Sequence, residues 1–340
     1  MIIVNVGPTT VEGVLERLYL FPYGRASILF VVVAGIGMGM FLRARPARGR
    51  RSLMLLWRAA VLLAGGLALQ SLTDDVGVIL PLYGLLFLSV LVLQFLPPVA
   101  LITSAVTLAV VGPVLYLNHV ATESVGAHSQ LVQLGDTPVD VIHGLVVSGR
   151  YPLVTWAVPF VLGIWVAQTD LTNHTVIRRL LVWGAAATGV GLALSQAALA
   201  LLGSAADEGY LRLLTGAAHG QMPLWLLSSC GGALFTIAVL LRLWPRVRRI
   251  ARPLTAAGQL ALTLYVLHVM VLAVIAPPAD IQVSAGAILS AILITACLLL
   301  AVLWRQHFSI GPLEWVLRAA WLPWLHQSPA PRATTTQFTP

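Results

Sequence analysis

Between Ala26 and Leu42 the chain runs for seventeen residues without a charge, and then delivers Arg43, Arg45, Arg48, Arg50, Arg51 and Arg58 with no acidic residue among them. An uncharged run of that length spans a bilayer as a slightly short helix. Arginines directly beyond a span hold that end in the cytoplasm, because such loops resist translocation. This helix therefore runs from outside to inside and fixes the direction of every other span. Gly35 and Gly39 lie four residues apart, so one helix face is bare enough for a neighbouring backbone to approach closely.

Eight more apolar stretches follow, at about 54–72, 78–96, 99–117, 152–168, 180–203, 225–244, 257–276 and 283–304. With the opening segment MIIVNVG as a stub or a truncated first helix, the expected fold is all-α: a polytopic integral membrane bundle of about ten transmembrane helices. A misplaced start codon would account for a truncated first helix, the alternative being a re-entrant stub. Residues 1–325 read as a single membrane domain and 326–340 as a disordered tail. Trp315, Trp321 and Trp324 ahead of that tail read as a helix lying in the inner interface. On this map sixteen of the twenty arginines are inside, and ten of the twelve acidic residues are outside. The C-terminus is then cytoplasmic, and a bacterial plasma membrane is the expected location.

A mean hydropathy of +0.91 with 9% charged residues excludes a soluble globule. The pI near 10.3 would otherwise suggest nucleic acid, but topology already accounts for the arginines. Cys230 and Cys297 fall inside apolar spans, so neither a disulfide framework nor a metal site is expected.

Function in such a bundle is sought among polar residues that the bilayer would exclude. His268, near the middle of the 257–276 span, either faces a cavity as a working group or is a neutral side chain bonded to a neighbouring helix. His219, in GAAHGQMPL just before a span, and His143, in DVIHGLVVSGRYP, are loop candidates for catalysis or substrate contact. Asp75, beside Asp74, could orient a His or hold a sugar hydroxyl; otherwise the pair is a solvated outer turn. His119 and His128 carry no assigned role. Arg25 stands at the outer mouth of the first span, against the charge rule. It either clamps a carboxylate, phosphate or oxyanion, or snorkels to the outer headgroups.

The series VNVGP, FPYGRASILFVVVAGIGMGMFLRARPARGRR, DDVGVILPLYGLLFL, GRYPLVTWAVPFVLGIWVAQ, AAHGQMPLWLLSSCGGAL, LTAAGQLALTLYVLHVMVL and GPLEWVLR resembles, in order, the YeiB-like and heparan-α-glucosaminide N-acetyltransferase-like membrane families, the DUF418 and DUF1624 group. The resemblance implies a membrane acyltransferase. Its donor would be cytoplasmic acetyl-CoA or another acyl-CoA, docked on the inner arginines. Its acceptor would be a glycan or lipid-linked molecule on the other side. Relatives usually open on an R-x-x-D-x-x-R-G segment, which this sequence starts after. The animal enzymes carry a His in the first outside loop, whereas residues 8–25 contain none. The base is then His219 or His268, with Asn5 or Arg25 stabilising the oxyanion. The rival expectation is a transporter or flippase for a lipid-linked sugar. That would use a matching pair of Gly/Pro-interrupted spans in two halves, and the sequence displays none.

Overall fold

The computed structural model describes residues 2–7, 22–43, 48–122, 131–278 and 281–318. Within them the chain forms helices and no strand. In order these are α1 (Ile2–Val6), α2 (Arg25–Arg43), α3 (Arg48–Gln70), α4 (Leu80–Leu93), α5 (Pro98–Thr122), α6 (Pro138–His143), α7 (Leu153–Val166), α8 (His174–Leu202), α9 (Pro223–Val247), α10 (Arg252–Gln259), α11 (Ala261–Ile275), α12 (Val283–His307) and α13 (Pro312–Arg318). Six of the helices are long and apolar enough to cross a membrane. Two bent pairs raise the number to eight, and α4, with 14 residues, is the short ninth apolar segment. The polytopic membrane bundle is thus observed, with fewer full-length spans than the ten expected. The stub is the single helical turn of α1, packed on α12 with Val6 buried. Arg17, His128, Trp321, Trp324 and the 326–340 tail lie outside the described residues.

The middle of the bundle is α7, with Thr155, Trp156, Phe160, Val161 and Ile164 all buried. It is gripped by α2 through glycine. A Cβ on Gly35 would overlap the Phe160 carbonyl oxygen, and one on Gly163 would overlap that of Val32. Gly39 lies against Ala167 in the same groove. Small residues let two backbones meet where lipid supplies no hydrophobic drive. The α8–α9 pair uses the same device, Gly184 lying against Gly231.

Side-chain contacts tie each end of the bundle. At the arginine-rich end, Arg43 donates to the Ala167 carbonyl (2.8 Å) and Arg51 to the Gln94 amide oxygen (3.0 Å). There Trp57 and Arg58 also donate to the carbonyls of Val316 and Leu317 in α13. At the opposite end Gly24 meets His219, and Gly77 meets Arg150 and Tyr151.

Two spans are broken. α6 ends in a π-helical turn over Gly144–Ser148, and the chain bends by 61° into α7. α10 and α11 meet at 82° around the buried Leu260. No matching pair of Gly/Pro-interrupted spans is evident in the sequence, yet two spans break: Gly149 and Pro152 lie at the first, and Gly258 lies two residues before Leu260 at the second. The second corner is held by Glu314. That carboxylate accepts from the Leu262 and Thr263 amides (2.7 and 3.1 Å) and from the Thr263 hydroxyl, capping the start of α11. A Cβ on Gly311 would strike the same carboxylate, which explains the GPLE sequence. An anion on those amides also complements the helix dipole. Glu314→Ala should lower stability by about 2 kcal/mol, the scale of lost charge-assisted bonds at a partly buried helix start, read from an unfolding titration.

Candidate functional site

Two clusters of polar and aromatic groups lie within reach of one another. The deeper one forms on α11. His268, only 3% exposed, places Nε2 3.1 Å from the Asn5 side-chain nitrogen, across 263 residues of sequence. Its Nδ1 is 3.3 Å from the Leu264 carbonyl one turn earlier. The partners assign the tautomer: Nδ1–H donates to the carbonyl, and Nε2 accepts from the Asn5 amide. Tyr265 lies edge-on to the imidazole at 5.1 Å, and its hydroxyl accepts from the Ile79 amide at the start of α4 (3.1 Å).

Beside this pair is a cavity of about 320 Å³ whose walls include Ile2, Phe30, Gly258, Leu264, His268 and Cys297. That size falls within the range of small-molecule pockets. A second, of about 180 Å³, shares the Phe30, Ala261 and Tyr265 walls with it and reaches Tyr83 and Phe87. The bend between α10 and α11 borders both: Gly258 and Ala261 line the first, and Ala261 also lines the second. Non-helical backbone at membrane depth is tolerated where it borders a cavity or is covered by protein.

The other cluster centres on His219, in the turn before α9. His219 and Gln221 both hold left-handed backbone, with φ of 56° and 63°. Non-glycine residues rarely adopt this, and then only when their surroundings over-determine it. Here Gln221 supplies the constraint: its amide oxygen accepts from the Thr155 hydroxyl (2.8 Å), and its nitrogen donates to the Arg150 carbonyl (3.4 Å). Four aromatic rings surround the imidazole: Tyr23 at 4.9 Å, Tyr151 at 5.9 Å, Trp156 at 6.0 Å and Trp225 at 6.1 Å. Gly24, with φ of 73°, lets the chain pass directly against His219 and the Trp225 indole. Gly77 packs on Arg150 and Tyr151 and accepts from the Tyr151 hydroxyl, and Ile79 donates to Tyr265, so the 77–79 segment links the two clusters.

Burial first, and then the Arg150 charge, lower the His219 pKa to about 3. The ring is therefore neutral at physiological pH and suited to accept a proton or a hydrogen bond. The sign of the pH dependence follows. Below the ordinary His range the unfolded chain takes up a proton that the folded one refuses, so His219 costs stability progressively as pH falls from about 6.5 toward 3. His219→Gln should flatten that part of a stability-against-pH curve measured by thermal unfolding.

Of the residues singled out in the sequence, Asn5 and His268 come together, and Arg25 begins α2 directly after the Gly24 contact with His219. Asp75 is exposed on the turn after α3, where its own amide donates to the Thr73 hydroxyl. His143 is exposed at the end of α6, edge-on to His119 at 4.4 Å and 3.5 Å from the Ser148 hydroxyl. Neither joins the two clusters. Sequence reasoning missed Arg150, Tyr151, Trp156, Trp225 and Tyr265. The readable signal was Gly149 and Pro152 around Arg150, punctuation at the edge of a span.

No group of three or more His, Cys, Asp or Glu capable of holding a metal occurs among the described residues. No curated protein and no solved structure matches the chain. Residues 165–323 match the model of a family described as "Protein of unknown function (DUF418)", a stretch that includes His219, His268 and Glu314 while Asn5, Arg25, Arg150 and Trp156 precede it.

Proposed function

We propose that the protein is an integral membrane acyltransferase. It would move an acetyl or longer acyl group from a cytoplasmic acyl-CoA to a glycan or lipid-linked acceptor on the outer side. The observation that supports this most is the Asn5–His268 contact at 3.1 Å, a polar pair beside an apolar cavity within the bundle. A neutral imidazole whose Nε2 lone pair is released as the Asn5 amide turns toward the thioester carbonyl can take a proton from an acceptor hydroxyl or amine, or briefly carry the acyl group itself. The Asn5 amide supplies a donor for the oxyanion that forms as the thioester carbonyl is attacked. In this reading the arginine-rich end receives the anionic donor, and Arg25 and His219 belong to the acceptor side. Asp75 and His143 would contact the acceptor outside the bundle.

A lipid-linked sugar transporter or flippase is the second reading, and the two broken spans favour it, since broken helices border substrate sites in transporters. One experiment separates them. Membranes containing the protein are given labelled acetyl-CoA, and glycan, lipid and protein fractions are extracted. Protein-dependent label in an acceptor supports the transferase. Movement of acceptor across the membrane with no label incorporated supports transport and would end the acyl-transfer reading.

A further inference from the structure

Around His219 the bundle gathers hydrogen-bonding atoms with nothing to receive them. The Trp156 and Trp225 indole nitrogens and the His219 Nδ1 are sealed from solvent and lack a hydrogen-bond partner. Their rings form one group: Trp156 and Trp225 are 5.7 Å apart, and each lies about as far from His219, at 6.0 and 6.1 Å. Buried polar groups are nearly always satisfied, so several orphans at one place ask for an explanation. An indole N–H and a guanidinium can only donate. Arg150 adds the charge. Its Nη2 donates to the Tyr23 hydroxyl (3.4 Å), and the Tyr23 ring lies edge-on to His219 at 4.9 Å. Among the described residues no carboxylate pairs with Arg150. The ligand such a set lacks must bring acceptor oxygens and negative charge.

The directions of the donors narrow the shape. The two indoles come from different helices, Trp156 from α7 and Trp225 from α9, and Arg150 from the segment before α7, so the donors reach the site from three elements and not from one edge. A tetrahedral oxyanion offers oxygens in several directions at once. The left-handed turn at His219 and Gln221, locked by Thr155 and the Arg150 carbonyl, keeps the set assembled.

We propose that Trp156, Trp225 and Arg150, closing around His219, form a phosphate-binding site at the end of the bundle opposite the arginine cluster. The phosphoryl group belongs to a lipid headgroup or to a free solute. The indole N–H groups hold its oxygens, and Arg150 balances its charge. This goes beyond the acyl-transfer reading, and binding is measured without turnover, so either idea can fail alone.

The test uses the full chain in nanodiscs of an uncharged, phosphate-free galactolipid. Binding of radiolabelled inorganic phosphate is measured in one arm and of labelled phosphatidic acid in the other. Saturable binding in the first arm identifies a free solute, and in the second a headgroup; either supports the site. Trp156→Phe and Trp225→Phe put a smaller aromatic ring in place of the indole and delete the N–H; with a size-exclusion profile matching the parent, each should weaken binding about tenfold, the scale of one charge-assisted bond. Arg150→Gln should weaken it further. Trp244→Phe, on an exposed ring near the end of α9, should change nothing. If neither probe binds, or if both phenylalanine variants and Arg150→Gln bind as the parent does, the donors are served by internal water and the proposal falls.

Discussion

Gly35→Leu is expected to abolish folded protein, with at least a tenfold loss of the monodisperse peak in fluorescence size-exclusion chromatography. Even one added carbon would overlap the Phe160 carbonyl, and Gly163 Cα lies 3.0 Å from the same point. Backbone cannot step aside as a long side chain can, so relief requires α2 and α7 to separate. That separation would empty the contact holding Ile28, Val31 and Val32 against the centre of the bundle. Gly163→Leu meets the same obstacle from the other side. Gly37→Leu is the control: Gly37 is exposed, and a Cβ there has nothing within 4 Å. It should express normally. Equal loss at Gly35 and Gly37 would mean that helix propensity or insertion, and not the crossing, sets the requirement.

The second large effect concerns His268. If the protein transfers acyl groups, His268→Ala should lower label transfer by roughly a hundredfold or more, the usual scale for a lost general base. Expression should stay near normal, because the imidazole makes one side-chain contact to Asn5 and one to its own helix. Asn5→Ala should act in the same direction and less strongly, lowering kcat with KM little changed, as expected for a group used mainly in the transition state. His219→Ala tests the other cluster in the same assay. Intact specific activity in both His variants would rule out histidine acid–base chemistry at these positions. Loss of expression parallel to loss of activity would mark His268 as a packing residue instead.

Hydropathy made the spans legible, because seventeen or more uncharged residues leave few alternatives in a bilayer. Gly35 and Gly39 announced a close crossing, although not its partner. Asn5 and His268 were each visible as candidates, yet nothing in a linear pattern pairs residues 263 apart. The bend at Leu260 was illegible for a different reason. A lone Gly258 two residues earlier is a weak breaker, and the group that stabilises the corner, Glu314, arrives from beyond α12. Arg150 counted in the sequence as one of four arginines on the wrong side. Only the fold shows it beside Tyr23 and the Gln221 amide. The aromatic cage was hidden because tryptophans near span ends are ordinary interface anchors until their neighbours are known.

The brevity of α4 has a consequence for the bilayer itself. Fourteen residues rise about 21 Å, well short of the roughly 30 Å hydrocarbon slab. The helix is interior, with Leu82, Leu86 and Val90 buried, so lipids do not have to stretch or thin to match it. The shortfall is instead made up by polar side chains packed at the two ends of the helix. Gln70 bridges the approach from one side, bonding the Thr73 and Val76 carbonyls and the Val78 amide. Gln94, held by Arg51, closes the other.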